Sequence, residues 1–288
     1  MSDDPKKSDL GSGCPMNRPP GPNEPKVYGR SDLTYNEYLK VPELLSLQVP
    51  QSTPAHHDEL LFIVIHQAYE LWFKLILHEI GSVMEHMGNA ETLRARHHAA
   101  RCVEILRLLV SQIHILETMT PADFLAFREH LNPASGFQSL QFREIEFVAG
   151  LKDERYLGFF AHKPDVHSRL KARLAEPDLR GRYLEMLKRL CFDVPIQCTN
   201  DDEKKRIIDA LLPVYRNPKD HLPLYLLSES LVDFDAQLGL WREHHVRVVE
   251  RIIGFKRGTG GSSGVEYLQS TTGKKCFPYL WELRTELA

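Results

Sequence analysis

Little in this chain would tie it to an oxidising compartment. Its 288 residues hold five cysteines, Cys14, Cys102, Cys191, Cys198 and Cys276, and no Cys-x-x-Cys pair. An odd, scattered set fits reduced thiols and suggests neither a zinc knuckle nor a redox couple. Without a Cys-x-x-Cys-His motif, any haem would be held non-covalently. Neither sign of charge dominates: 36 basic and 39 acidic residues leave a net charge of −3. That balance gives no reason to expect nucleic acid or a membrane surface as a partner. The longest purely apolar run, Leu60–Ile65, is far too short to span a bilayer. The N-terminus is polar and lacks a hydrophobic signal region, so a cytoplasmic protein is expected. Glu-x-x-His, the pair that a carboxylate-bridged di-iron bundle needs on two helices, is missing too. So is any alternating strand pattern of useful length, and so is any internal repeat.

What is present reads as helix. The first 30 residues, rich in Pro, Gly, Ser, Asp and Lys, are expected to be a disordered tail. Order should begin near Leu33, ahead of a short helix through Tyr38–Leu47. Pro50 and Pro54 then break the chain. Long amphipathic helices are predicted over about Asp58–Met87 and Glu91–Thr118. Thr120-Pro121-Ala-Asp123 is a strong helix start, and that helix should end near His130. After a loop at Asn132–Gly136, a helix is predicted over Gln138–Gly150. Shorter pieces follow between 153 and 216, punctuated by Pro164, Pro177, Pro195, Pro213 and Pro218. A last long helix covers Leu222–Ile253. The expectation is an all-α fold, a single helical domain over 31–288 with long antiparallel helices.

Three features could carry chemistry. Residues 254–264 read Gly-Phe-Lys-Arg-Gly-Thr-Gly-Gly-Ser-Ser-Gly, holding five of the 17 glycines. Backbone N–H groups beside two cations suit an anion. The loop follows a helix and has no Lys-Ser or Lys-Thr after Gly258, so it is neither a P-loop nor a dinucleotide fingerprint. A flexible surface loop is the alternative. On the helix before it, Leu231, Phe234, Leu238, Trp241, His245, Val248 and Ile252 share one stripe, interrupted only by the imidazole of His245. On the first long helix, Phe62, His66, Tyr69 and Phe73 share a face. A histidine on an apolar face is ordinarily a hydrogen-bonded core residue. Two of them, on two long helices, also fit a haem-binding bundle. Arg128 lies one turn after Phe124 and could clamp a carboxylate, or simply pack its stem on the ring. His56-His57-Asp58 and His97-His98 read as surface residues, because adjacent helical side chains diverge by about 100°.

Several motifs occur here in order: Pro54-Ala-His-His-Asp-Glu59, Phe62-x-x-x-His66-Gln67, Glu70-Leu71-Trp72, Phe127-Arg128, Ser135-Gly-Phe-Gln-Ser-Leu-Gln141 and the glycine loop. Together they resemble the tryptophan 2,3-dioxygenase family, from about Leu33 to about Leu283. The resemblance implies an enzyme with b-type haem, active as Fe(II), that inserts both atoms of O₂ into the indole 2,3-bond of L-tryptophan. The product would be N-formylkynurenine, in the first step of the kynurenine route. By the same resemblance His245 is the iron ligand and His66 the catalytic distal residue, bonded to the indole N–H. Phe62 and Phe124 are pocket residues, the latter where relatives carry Phe or Tyr. Arg128 pairs with the substrate carboxylate and Thr259 with its carboxylate and ammonium, while Ser135 and Gly258 are cofactor positions. The resemblance further implies a homotetramer in which the 31–50 segment, through Tyr35, Tyr38 and Leu39, reaches a neighbouring subunit's pocket.

Overall fold

Among the described residues of the computed structural model, 33–260 and 263–287, the backbone is helical and contains no strand. The expected tail before residue 30 lies outside them. The described chain divides into two units, one ending at Leu47 and one beginning at Gln48.

The first unit contains α1 (Tyr35–Leu39) and α2 (Val41–Leu45). The single helix expected over Tyr38–Leu47 is therefore two shorter ones. The start comes earlier because Thr34 and Glu37 form a reciprocal capping box. The break falls at Lys40, whose φ of 54° is left-handed, immediately before a helix that carries Pro42 in its first turn.

The second unit holds the long helices α3 (His57–Gly88) and α4 (Thr92–Leu116), then α5 (Pro121–Arg128) and α6 (Leu140–Val148). Four shorter helices follow, α7 (Arg155–Phe159), α8 (Pro164–Ala175), α9 (Leu179–Arg189) and α10 (Asp201–Arg216). The long α11 (Leu222–Ile253) matches its expected bounds, and α12 (Val265–Thr272) and α13 (Pro278–Glu282) close the chain. Starts are set by side-chain caps: Thr120 accepts from Asp123 N–H, Asp178 from Gly181 N–H at 2.8 Å, and Asn200 from Glu203 N–H at 2.8 Å. One expectation is corrected here. Pro213 does not end a segment but sits inside α10. The helix continues to Arg216, so the chain tolerates the lost N–H bond to the carbonyl of Asp209 one turn earlier.

α4 packs along both α3 and α11, and this three-helix layer is the backbone of the core. Ile76, Ile80, Met87, Leu106, Leu109 and Ile113 are fully buried within it. By length and composition α3 could also cross a membrane, but here one of its faces, Ile65, Tyr69, Phe73, Ile76, Ile80 and Val83, is buried in this core. Buried carboxylates bolt the layers together. Glu79 of α3 accepts from His98 at 2.7 Å and Arg101 at 2.8 Å on α4. Glu144 of α6 takes Arg169 of α8 bidentately, at 2.9 and 2.6 Å. Toward the C-terminus, Asp235 of α11 accepts from the N–H groups of Cys276 (2.9 Å) and Phe277 (3.1 Å) and from the indole of Trp281 (2.9 Å), fixing the start of α13.

Candidate active site

The packing of α3, α4, α5, α6, α11 and α12 leaves a cavity of about 530 Å³, built entirely from the second unit. Its wall is mostly apolar, and it is of a size that holds an organic ligand. Phe62, His66, Phe124, Arg128, Ser135, His245, Gly258 and Thr259 all face it. Residues up to 197 positions apart in the chain, Phe62 to Thr259, thus converge on one space.

On α3 the periodicity does what the sequence implied. His66 lies one turn after Phe62, with ring centroids 4.0 Å apart, and Phe62 in turn meets Phe124 at 5.6 Å. The Nδ1 of His66 lies 2.7 Å from the carbonyl oxygen of Phe62. A carbonyl can only accept, so Nδ1 carries the proton and Nε2 is left with a lone pair. Burial pushes the His66 pKa below its ordinary value, so the ring is neutral at neutral pH.

His245 enters from α11, stacked on Trp241 one turn earlier with centroids 5.1 Å apart. Burial, and the facing imidazole of His66, lower its pKa to about 4. Neither of its ring nitrogens has a hydrogen-bond partner among the described residues. It is therefore a neutral imidazole without a protein partner on the wall of an apolar space. Such an imidazole could serve as the protein ligand of a haem iron. Among the described residues no group of three or more His, Cys, Asp or Glu could cage a bare ion. An iron held by His245 would need its remaining donors from a macrocycle, and the residues fit a haem.

Polar groups gather near the glycine loop. Arg128 donates from Nη2 to the carbonyl of Arg257 at 2.6 Å, and its side chain is only 14% exposed. Thr259 Oγ1 donates to the carbonyl of Ala134 at 2.6 Å. The loop is thus stitched to the 128–135 segment in both directions. Two glycines are needed sterically. A Cβ on Gly260 would stand 2.7 Å from Cβ of Ser135. Gly264 has φ of +71°, and a Cβ there would meet the Lys256 carbonyl oxygen at 2.6 Å. Gly261 and Ser262 lie outside the described residues.

Other contributors were not singled out by spacing. Glu70, one turn past His66, accepts from Ser139 Oγ at 2.6 Å and from Gln141 Nε2 at 2.8 Å, which ties the 135–139 turn to α3. Arg143, Glu146 and Arg242 also line the cavity although all three are buried. Their only sequence signals were the i, i+3 spacing of Arg143 and Glu146 and the position of Arg242 three residues before His245. His57 pairs with Asp58, and the part-buried His98 pairs with Glu79 of α3. Tyr35, Tyr38 and Leu39 lie on α1 in the first unit and are exposed.

The sequence model of the family described as "Tryptophan 2,3-dioxygenase" matches residues 23–190 and 203–287. The chain belongs to the tryptophan 2,3-dioxygenase family. A tryptophan 2,3-dioxygenase of Xanthomonas oryzae pv. oryzae is 44% identical over 261 residues, 88% of each chain. One from Herpetosiphon aurantiacus is 47% identical over 262 residues, 88% of this chain and 98% of the relative. One from Xanthomonas campestris pv. campestris is 44% identical over 261 residues. The chain is accordingly an oxidoreductase of the dioxygenase class, concerned with tryptophan breakdown.

Proposed function

We propose that this protein binds b-type haem through His245 and inserts both atoms of O₂ into the indole 2,3-bond of L-tryptophan. The product is N-formylkynurenine, and the reaction opens the kynurenine route. The observation that carries this reading is the placement of a partnerless neutral imidazole, a second imidazole with a free Nε2 and a largely buried arginine around one apolar cavity.

When bound, ferrous haem supplies an iron that binds and activates O₂. The protein's own part is positioning. Nε2 of His66 accepts the indole N–H, which orients the ring without requiring a strong base, since the imidazole is neutral throughout. Phe62 and Phe124 pack the ring; Phe124 has no hydroxyl, so it offers shape alone. The planar fork of Arg128 takes the carboxylate through parallel N–H donors. Thr259 and the loop N–H groups complete the grip on the charged end. Ser135 and Gly258 support the cofactor at the cavity wall. Holding both the ring and the charged end of the substrate converts collision into orientation, which lowers the entropic part of the barrier. The loop also excludes water from the reacting centre. In this reading the enzyme is a cytoplasmic homotetramer, and Tyr35, Tyr38 and Leu39 complete a neighbouring subunit's pocket.

The test is optical. Purified protein should show a haem Soret band that shifts when L-tryptophan is added, and the shift should be lost in Arg128→Lys at the same concentration. A colourless protein that does not take up added haem would overturn the reading.

A further inference from the structure

Arg143, Glu146 and Arg242 form a buried charged group in the cavity wall that the reading above leaves unused. Arg143 and Glu146 are one turn apart on α6 and bonded to each other. Arg242, on α11, donates from Nη2 to the other oxygen of Glu146 at 2.8 Å. All three side chains are at most 6% exposed. One carboxylate therefore serves two guanidinium groups, and the cluster carries a net charge of +1. Arg143 is additionally stacked on Tyr156, 4.1 Å from the ring centroid, and Arg242 reaches the carbonyl of Lys274 only at 3.5 Å. After all these contacts, Nε of Arg143 and Nε of Arg242 are both buried without a partner.

Two orphaned donors in one cluster are hard to explain as architecture. A buried N–H without an acceptor costs about 1–3 kcal/mol, more on a charged group. An uncompensated buried charge is costlier still. The excess charge is offset by an anion that enters the cavity with the organic ligand beside the two arginines that line it. The clamp for the substrate's carboxylate is on other elements, Arg128 of α5 and the glycine loop, so this second seat needs a second carboxylate. Resting on the haem reading, we propose that Arg143 and Arg242 form the seat for a carboxylate side chain of the haem itself, with Glu146 fixing the two guanidinium groups at a shared spacing. Arg242, three residues before His245 on the same helix, then holds the cofactor's rim while His245 holds its iron. Haem orientation and iron ligation are set by a single turn of α11.

The holoenzyme tests this through cofactor release. Parent, Arg143→Met and Arg242→Met are each loaded with haem or with haem dimethyl ester, whose carboxylates are blocked. Transfer of the porphyrin to excess apomyoglobin is then followed in the Soret region. The parent should release the ester at least tenfold faster than haem. In at least one of the variants that ratio should fall close to one. Equal release of the two porphyrins by the parent overturns the proposal, even if neither variant folds. Retention of the parent's ratio in both variants overturns it as well. A parent that binds neither porphyrin refutes instead the haem reading on which the proposal stands.

Discussion

At the scale of single residues, the proposed ligation by His245 turns on its protonation state. Its pKa of about 4 lies below the ordinary 6.5, so the depressed value keeps the ligand-competent neutral form available well into acid. Protons compete with iron for the same lone pair only below that value. Haem capture, followed by Soret titration, should stay level through pH 6.5 and fall only as the pH approaches about 4. A midpoint near 6.5 would mean that the imidazole titrates as if in water. His245→Ala should lose haem, since the other imidazole of α11, His244, does not line the cavity; full occupancy with an unchanged spectrum would contradict the assignment. Arg128→Lys replaces a planar fork by a point charge. It should weaken L-tryptophan binding by about 2–5 kcal/mol while leaving haem content alone. Unaltered steady-state parameters would show that the carboxylate is held elsewhere.

The helices themselves were largely legible, because long amphipathic segments announce their own buried faces. The stripe from Leu231 to Ile252 is buried at each apolar position, and the one imidazole in it faces the cavity. Boundaries near prolines were less legible. Pro42 and Pro213 look alike in sequence, yet one lies just after a left-handed residue and the other inside a helix. Distance from the helix end separates the two cases, and local pattern does not encode it. Arg143, Glu146 and Arg242 escaped notice for a related reason. Charged residues at i, i+3 are usually a solvated pair, and only tertiary packing buries these, with Tyr156 over Arg143 and Arg242 of α11 on Glu146. At this scale glycine substitutions make a paired test. Gly260→Ala drives a methyl into Ser135 and should raise the KM for L-tryptophan. Gly239→Ala, in α11 with nothing within 4 Å of the new Cβ, should be neutral or stabilise by up to ~1 kcal/mol. Equal effects of the two on KM would remove the steric argument for the loop.

For the molecule as a whole, the three-helix layer carries the core while a few buried carboxylates fix how the outer helices dock. Asp235 is the clearest of these, with three donors and 4% exposure. Asp235→Ala orphans two backbone N–H groups and an indole N–H together. Urea denaturation should show a loss of about 3 kcal/mol or more, each orphaned donor costing about 1–3 kcal/mol. A loss below about 1 kcal/mol would mean that α13 re-docks through water.

The stitching of Arg128 to Arg257 and of Thr259 to Ala134 makes loop position and clamp orientation a single variable. With Arg128 holding the substrate as proposed, any affinity measured is its intrinsic affinity multiplied by the fraction of time the stitches are closed. A change anywhere in the loop that halves this fraction halves the affinity, though it touches no atom of the ligand. By reciprocity the ligand closes the stitches as strongly as the closed stitches favour the ligand. Residues that never meet tryptophan therefore share control of how much of it the enzyme senses.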